Sequence, residues 1–336
     1  MKNEDFISLD GNDDGIDRAG FLKCMAWAGT GLFCLMSGGI LKTSGMSQIV
    51  DKATGKLKDG TRLPKGDFSF VQISDSHIGF NKAANPDVLG TLQAAISKIN
   101  AMPTTPSFML HTGDLSHLAQ ADEFDTLDQA LKSAKTGKIF YVPGEHDVLN
   151  DNGKQYLQRY GKETKGDGWY SFDFNGIHFI GLVNVVNTAE GGLGVLGADQ
   201  LDWLQKDVKG LSASTPIVVF AHIPLWSVYP QWGWGTRDSE QALSYLKRFG
   251  SVSVLNGHIH QTLQKIESNI TFHTATSTAF PQPQPGSAPA AGPMKVPADQ
   301  LGKLLGITSV NYVEHDHTLA VTDIALSEVN EKQPAQ

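Results

Sequence analysis

The sequence predicts an α/β protein, on two observations. From about Asp67 onward, apolar runs of strand length alternate with segments of helical period, and paired runs resembling hairpins interrupt that alternation. Such a pattern argues for mixed sheets covered by helices, in one domain spanning residues 67–328 with a short tail at 329–336. A third observation concerns chemistry: five of the apolar runs stop at a His, an Asp or a Glu.

The elements follow in order. "FSFVQIS" reads as a strand, and "PDVLGTLQAAISKIN" as a helix opened by Pro86 and Asp87. "PSFMLHTG" is the next strand, "ADEFDTLDQALKSA" a helix and "KIFYVPG" a third strand. "YSFDFNGIHFIGLV" reads as a hairpin with Asn175-Gly176 as its two-residue turn. The helix "GADQLDWLQKDV" leads to the strand "TPIVVFAH", and the helix "DSEQALSYLKRF" to the strand "VSVLNGH". "KIESNITFHTAT" and "VNYVEHDHTLAVTDIAL" are strands in hairpins, and the Pro-rich "PQPQPGSAPAAGPMKVP" is an irregular loop.

A chain of 336 residues with 40% apolar content is long enough to bury a sizeable core. A net charge of −8 argues against a nucleic-acid-binding surface, which needs clustered Lys and Arg. No internal repeat is visible, and no window after residue 60 is apolar for long enough to span a bilayer.

Residues 1–45 read differently. Arg18 and Lys23 precede an apolar run from Met25 to Ile40, the layout of an export signal or membrane anchor, and a polar linker follows over 46–66. "DRAGFLK" resembles the twin-arginine export motif, with Ala19 in place of its second Arg. That resemblance implies export machinery as a partner and a periplasmic or outward-facing, membrane-anchored location; the competing reading is a buried N-terminal helix. Both cysteines, Cys24 and Cys34, fall in this stretch and read as small apolar filler. Downstream there is no thiol, so a metal site in the main domain must use His and carboxylate.

The five strand ends supply such a set. "FSFVQIS" runs into Asp75 and His77, "PSFMLHT" into Gly113-Asp114, "KIFYV" into "PGEHD" (Pro143 to Asp147), "PIVVFA" into His222, and "VSVLN" into His258 and His260. In open α/β sheets, ligands bind at the carboxyl ends of strands. The i, i+2 spacing of Asp75/His77 and of His258/His260 sends each pair to one side of an extended segment. Two such pairs with three further ligand types exceed what one ion usually takes. The mixed His/carboxylate set fits two divalent first-row ions, Fe, Mn or Zn. Two ions about 3.5–4 Å apart can clamp a phosphoryl group and generate hydroxide between them.

The ordered motifs "DSH", "GD", "GEHD", "H" and "GHIH", over roughly residues 69–261, resemble those of the calcineurin-like metallophosphoesterase superfamily. The resemblance implies a two-sheet β-sandwich flanked by helices. It also implies a dinuclear hydrolase of phosphomonoesters or phosphodiesters in which a bridging hydroxide attacks phosphorus. Asp75, His77 and His260 correspond to ligands of the first metal, Asp114 to the bridging carboxylate, and His222 and His258 to ligands of the second. His146 corresponds to the His that contacts the phosphate and helps protonate the leaving group, and Asp147 to the residue that orients its imidazole.

Glu145 is the departure, standing where the family places Asn. Either it ligates the second metal as a carboxylate, or it swings away and leaves that site weak. The second case is the rival function, a metal-binding module with impaired turnover; retention of His146 and Asp147 counts against it. His111 and His117 flank the "GD" motif and either stand behind the metal ligands or, as histidines outside the motifs, are structural or exposed; His178, His273, His315 and His317 sit within strand-like patterns and read as non-catalytic. The aromatic segment "PLWSVYPQWGWG" after His222 reads either as a substrate-facing rim or as a loop pinned to the body.

Overall fold

The computed structural model describes residues 32–37, 40–45, 67–313 and 318–327. Arg18, Ala19 and Lys23 of the export segment, the linker at 46–66, His315, His317 and the tail at 329–336 lie outside the described residues. Within the apolar N-terminal stretch, β1 (Leu32–Ser37) and β2 (Ile40–Gly45) pair as an antiparallel ribbon, not as the buried helix considered for this region. Among the described residues, no helix is long and apolar enough to cross a membrane.

From Asp67 the elements run β3 (Phe68–Ile73), α1 (Val88–Asn100), β4 (Met109–His111), α2 (Ala121–Leu131) and β5 (Ile139–Tyr141). Next come α3 (Lys154–Tyr160), β6 (Tyr170–Phe174), β7 (Ile177–Gly181), α4 (Ala198–Val208), β8 (Ile217–Phe220), α5 (Ser239–Leu246) and β9 (Val252–Asn256). The chain then forms β10 (Leu263–Glu267), β11 (Ile270–Thr274), α6 (Ala298–Leu304), β12 (Gly306–Val313) and β13 (Thr318–Ala325). One sheet has the order β13-β12-β3-β4-β5 and the other β10-β11-β9-β8-β7-β6. Parallel pairing joins β3, β4 and β5 in the first sheet and β7, β8, β9 and β11 in the second. The carboxyl ends within each parallel set therefore lie together, as the α/β reading requires.

Strand alternation explains the layering. Phe68 and Phe70 on β3 enter the core between the sheets, where they meet Phe108, Phe179, Val218 and Phe220. Val71 and Ile73, on the opposite face, pack beneath Leu92, Ile96, Phe124 and Leu127 of α1 and α2. On the second sheet, Val219, Val252 and Val254 face Leu204 of α4 and Leu246 of α5. Each central strand is thus covered on both faces, which is why it reads as a continuous apolar run. The inter-sheet layer is aromatic, with Phe70 and Phe108 stacked at 4.8 Å and Phe172 and Phe179 at 4.9 Å. Burying a side chain of this size stabilises the fold by roughly 1.5–3 kcal/mol.

The local signals hold as well. Asp87 caps α1 by accepting from the Gly90 N–H at 2.8 Å, and Asn175-Gly176 turns β6 into β7 with φ of 46° and 79°. Two short helices are additions to the sequence reading. α3 and α6 have seven residues each, under two full turns, so their apolar period is too brief to register.

One polar cluster ties the outer hairpin to the helix above it. His178 on β7 contacts Asp173 Oδ1 at 2.7 Å through Nδ1 and Asp207 Oδ2 at 2.9 Å through Nε2. Burial opposes a charge on this ring, but hydrogen bonds to Asp207 and Asp173 outweigh it and raise the His178 pKa above its ordinary value of 6.5. The stabilisation is therefore fully present below pH 6.5 and is lost as pH rises through the higher folded-state value. Urea unfolding should show His178→Gln less stable than the parent by about 1–3 kcal/mol in mild acid, with the gap narrowing in alkali. A gap that widened with pH would contradict the charged clamp.

Candidate active site

The loops after β3, β4, β5, β8 and β9 meet in one cleft at the carboxyl ends of both parallel sets, and they strap one another. The Asp75 and His77 N–H groups donate to the carbonyls of Gly113 and Asp114, at 3.0 and 2.9 Å. Gly257 N–H donates to the His222 carbonyl at 3.1 Å, and His258 N–H to Asp75 Oδ1 at 3.0 Å.

The two i, i+2 pairs converge by a different route from the one alternation predicts. β3 ends at Ile73 and β9 at Asn256, so neither pair is in extended backbone. Asp75, His77, Asp114, His258 and His260 instead have φ of 54°, 42°, 50°, 70° and 53°. The left-handed region is sparsely populated by residues bearing a Cβ, and such strain gathers at functional sites. Here successive kinks turn the side chains inward where a strand would have sent intervening residues the other way.

The motif glycines are explained by close approach. A Cβ at Gly144 would lie 2.0 Å from Asp114 Oδ1 and 2.2 Å from the Asp114 backbone nitrogen. At Gly113 it would lie 2.3 Å from His222 Nδ1, on a backbone with φ of 98°.

All seven expected ligands come together. Asp75, His77 and His260 form one group, with His77 Nε2 to His260 Nε2 at 3.2 Å and His260 Nε2 to Asp75 Oδ1 at 3.3 Å. Glu145, His222 and His258 form another, with Glu145 Oε2 to His222 Nε2 at 2.8 Å and Glu145 Oε1 to His258 Nδ1 at 2.9 Å. Asp114 stands between the groups, its Oδ2 at 3.4 Å from both His77 Nε2 and His222 Nε2. Glu145 therefore does not swing away.

The donor set fits metal ions. His222 Nδ1 donates to the Thr112 carbonyl at 2.7 Å and His260 Nδ1 to the Phe280 carbonyl at 2.5 Å, the outer partners usual for ligating imidazoles. Those bonds leave the Nε2 atoms facing the cleft. Glu145 Oε2, His222 Nε2 and both ring nitrogens of His258 are buried without a hydrogen-bond partner, despite contacts of 2.8 and 2.9 Å within the group. These donors lie close together at 2.8 and 2.9 Å, a spacing that a shared cation can satisfy.

The electrostatics agree. Burial works against the Glu145 carboxylate, yet His258 and then His222 outweigh it and hold its pKa well below the usual value. Burial pulls the His222 pKa down, and the Asp114 and Glu145 carboxylates push it well above normal. The pocket thus draws in positive charge, which a proton meets when no cation is bound. His77 is kept neutral, by burial first and then by the neighbouring His146, His260 and His117.

His146 lies beside both groups, its backbone N–H donating to Asp114 Oδ1 at 3.0 Å. Its Nδ1 donates to the His117 carbonyl at 2.6 Å. Burial opposes its charged form, but Asp114 and Glu145 raise its pKa above normal.

Asp147 departs from the role the resemblance implied. Its carboxylate accepts from the N–H groups of Leu115, Ser116 and Gly144 and from Ser116 Oγ, at 2.8–3.0 Å, and the carbonyl of His117 takes the His146 ring nitrogen instead. Asp147 clamps the β4 loop to the β5 loop. Burial and the Asp114 charge push its pKa up to about 6, against the pull of the backbone bonds.

Of the two readings of His117 and His111, the structure places both behind or beside the site. His117 stacks on His146 at 4.8 Å, and burial and His146 push its pKa down to about 4. His111 is fully buried with Nε2 at 2.9 Å from Ser76 Oγ, and burial pushes its pKa down to about 3. In "LHTGDLSH" their place on either side of Gly113-Asp114 is the one signal that sets these two apart from surface histidines. In the aromatic segment, Trp226 and Trp234 are buried, and the Val228 and Tyr229 N–H groups donate to the Trp234 carbonyl. That part of the segment is pinned to the body.

Residues 68–262 match the family model for calcineurin-like phosphoesterases. The chain belongs to this family. It is 26% identical over 242 residues to a 3',5'-cyclic-nucleotide phosphodiesterase of Nostoc sp., covering 70% of this chain and 87% of that protein. It is 25% identical over 232 residues to a serine/threonine-protein phosphatase of Danio rerio, covering 62% of this chain and 74% of that one. Its fold matches the crystal structure of a dimetal phosphatase from Danio rerio, with a TM-score of 0.55 and 16% identity over 78% of this chain and 97% of the other. The protein is a metallophosphoesterase, its two sheets and flanking helices arranged as in that structure, and the family depends on divalent metals.

The Asp147 geometry yields a test. Asp147→Ala leaves buried donors unpaired, at about 1–3 kcal/mol for each left unsatisfied, so a marked loss of unfolding stability is expected. If stability were instead unchanged and only hydrolysis of poor leaving groups fell, Asp147 would act on His146 rather than as a clamp.

Proposed function

We propose that this metallophosphoesterase hydrolyses phosphomonoesters or phosphodiesters at a dinuclear centre of divalent first-row ions, Fe, Mn or Zn. Asp75, His77 and His260 would hold one ion, Glu145, His222 and His258 the other, and Asp114 would bridge them. The observation that carries the reading is the buried trio of unpartnered atoms, Glu145 Oε2, His222 Nε2 and His258 Nδ1, beside a second ligand group sharing Asp114. When bound, the ions would supply Lewis acidity toward the phosphoryl oxygens and would make hydroxide available as the nucleophile at neutral pH.

The chain's own residues do the rest. His146, with Nδ1 engaged by the His117 carbonyl, has Nε2 available to donate a proton to the leaving-group oxygen. The raised pKa of His146 favours the protonated ring that such a donor needs. The second-nitrogen bonds of His222 and His260 fix which ring atom each offers. Asp147 holds the β4 and β5 loops, and with them Asp114, Glu145 and His146, in register. The relatives include a phosphodiesterase and a phosphatase, so the proposal covers both ester classes.

Glu145 provides the sharpest test. A carboxylate in place of a neutral amide adds one negative charge, worth roughly 4 kcal/mol at about 4 Å and an effective dielectric near 20, before desolvation. The added charge tightens cation binding while making the centre a weaker Lewis acid and repelling an anionic substrate. Chelator-stripped parent and Glu145→Asn should be reloaded with Mn, Fe or Zn and assayed on mono- and diesters alongside a metal titration. The variant is expected to bind its second ion more weakly, yet to match or exceed the parent's turnover at saturating metal. Unchanged affinity would remove Glu145 from the ligand set, and a metal-saturated parent that hydrolyses no phosphate ester would overturn the proposal.

A further inference from the structure

His222 and His260 each pass their second ring nitrogen to a backbone carbonyl. His77 does not: its Nδ1 faces Nδ1 of His117 at 3.4 Å. The contact is at the long end of hydrogen bonding, and it links two imidazoles where the other two ligands meet an oxygen. For His77 to offer Nε2 toward Asp114 and His260, its proton must sit on Nδ1, and His117 Nδ1 is the atom placed to accept it.

The same residue holds His146 twice. Its backbone carbonyl accepts from His146 Nδ1 at 2.6 Å, and its ring stacks on the His146 ring at 4.8 Å with an interplanar angle of 18°. His117 is itself fixed from two sides. Its N–H donates to the Ile78 carbonyl at 2.9 Å, and Phe80 meets its ring edge-on at 5.2 Å. His77, His117 and His146 together bring their ring nitrogens within 4.8 Å of one another.

We propose that His117 is a positioning residue of the phosphoester hydrolysis, orienting His77 through its ring nitrogen and His146 through its carbonyl and ring face. The inference rests on the dinuclear reading and adds to it a link between the first metal group and the proton donor. A carbonyl partner accepts in every state of the protein. An imidazole accepts only when its proton lies on the other nitrogen, so His77 depends on the tautomer of a side chain outside the ligand set. Outer partners of ligating histidines typically change metal affinity by roughly 10–100-fold when removed.

The test compares His117→Phe with His117→Asn, both of which keep the backbone carbonyl that holds His146. Phe retains a ring against His146 and Phe80 but has no acceptor, whereas Asn can return an oxygen acceptor toward His77 Nδ1. Mn and Zn affinities are read by competition with a chromogenic chelator, and metal-free thermal unfolding checks that each variant folds. The expected result is one of the two ions bound roughly 10–100-fold more weakly in the Phe variant. In the Asn variant the affinity should return to near the parent value. If the Phe variant does not fold, His117→Ala takes its place in the same comparison. A variant without the acceptor that binds both ions as tightly as the parent would overturn the inference, as would an Asn variant as weak as Phe, because returning an acceptor would then restore nothing. A parent that takes up no metal would instead overturn the dinuclear reading.

Discussion

Three carboxylates and four imidazoles converge in one cleft, and the rest of the structure is arranged around the charge this creates. Asp75 and Asp114 are almost wholly buried, and Glu145 meets two histidines within 2.9 Å. Buried carboxylates are costly unless a positive charge or hydrogen-bond donors compensate them. Part of the compensation comes from backbone N–H groups, from His146 to Asp114 and from His258 to Asp75. The remainder is left to whatever cation the Nε2 atoms of His77, His222 and His260 surround. In a site so built the fold has already brought the candidate donors out of water and together, as a cation would require.

That convergence needs backbone the chain would not adopt unaided. Five of the seven candidate ligands have positive φ, at a cost of order 1–3 kcal/mol each for strained conformations of this kind. The strain is sustained because the strands leading into the kinks cannot shift. Phe70, Phe108, Phe179 and Phe220 lock the two sheets face to face, and Val71, Ile73, Val219 and Val254 anchor the other faces of the same strands. Gly113 and Gly144 then let the loops approach to distances that any Cβ would prevent. Sheet packing, kinked loops and close glycine contacts are one construction, and the ligand geometry is its product.

Much of this was legible in the sequence because its signals are local. Asp87 as a cap, Asn175-Gly176 as a turn and the doubly buried strands each depend on residues a few positions apart. The candidate ligands could be singled out because each follows an apolar run, and the order of the motifs carries the family. The route by which they converge could not be read, since i, i+2 spacing fits an extended segment as well as a pair of left-handed kinks. Asp147 illustrates the same limit: its neighbour in sequence is His146, but its partners are the amides of Leu115, Ser116 and Gly144. The place of His117 beside the "GD" motif could be read, but not its contacts with His77 and His146, which come from three separate strand ends and exist only once the first sheet has formed.

The central claim is that the cleft holds two ions on two ligand groups sharing Asp114. Anomalous diffraction at the manganese edge, from crystals of the Mn-loaded protein, tests it most directly. Two peaks are predicted, one among Asp75, His77 and His260 and one among Glu145, His222 and His258, with Asp114 between them. A single peak, or two peaks with Glu145 turned away from both, would contradict it.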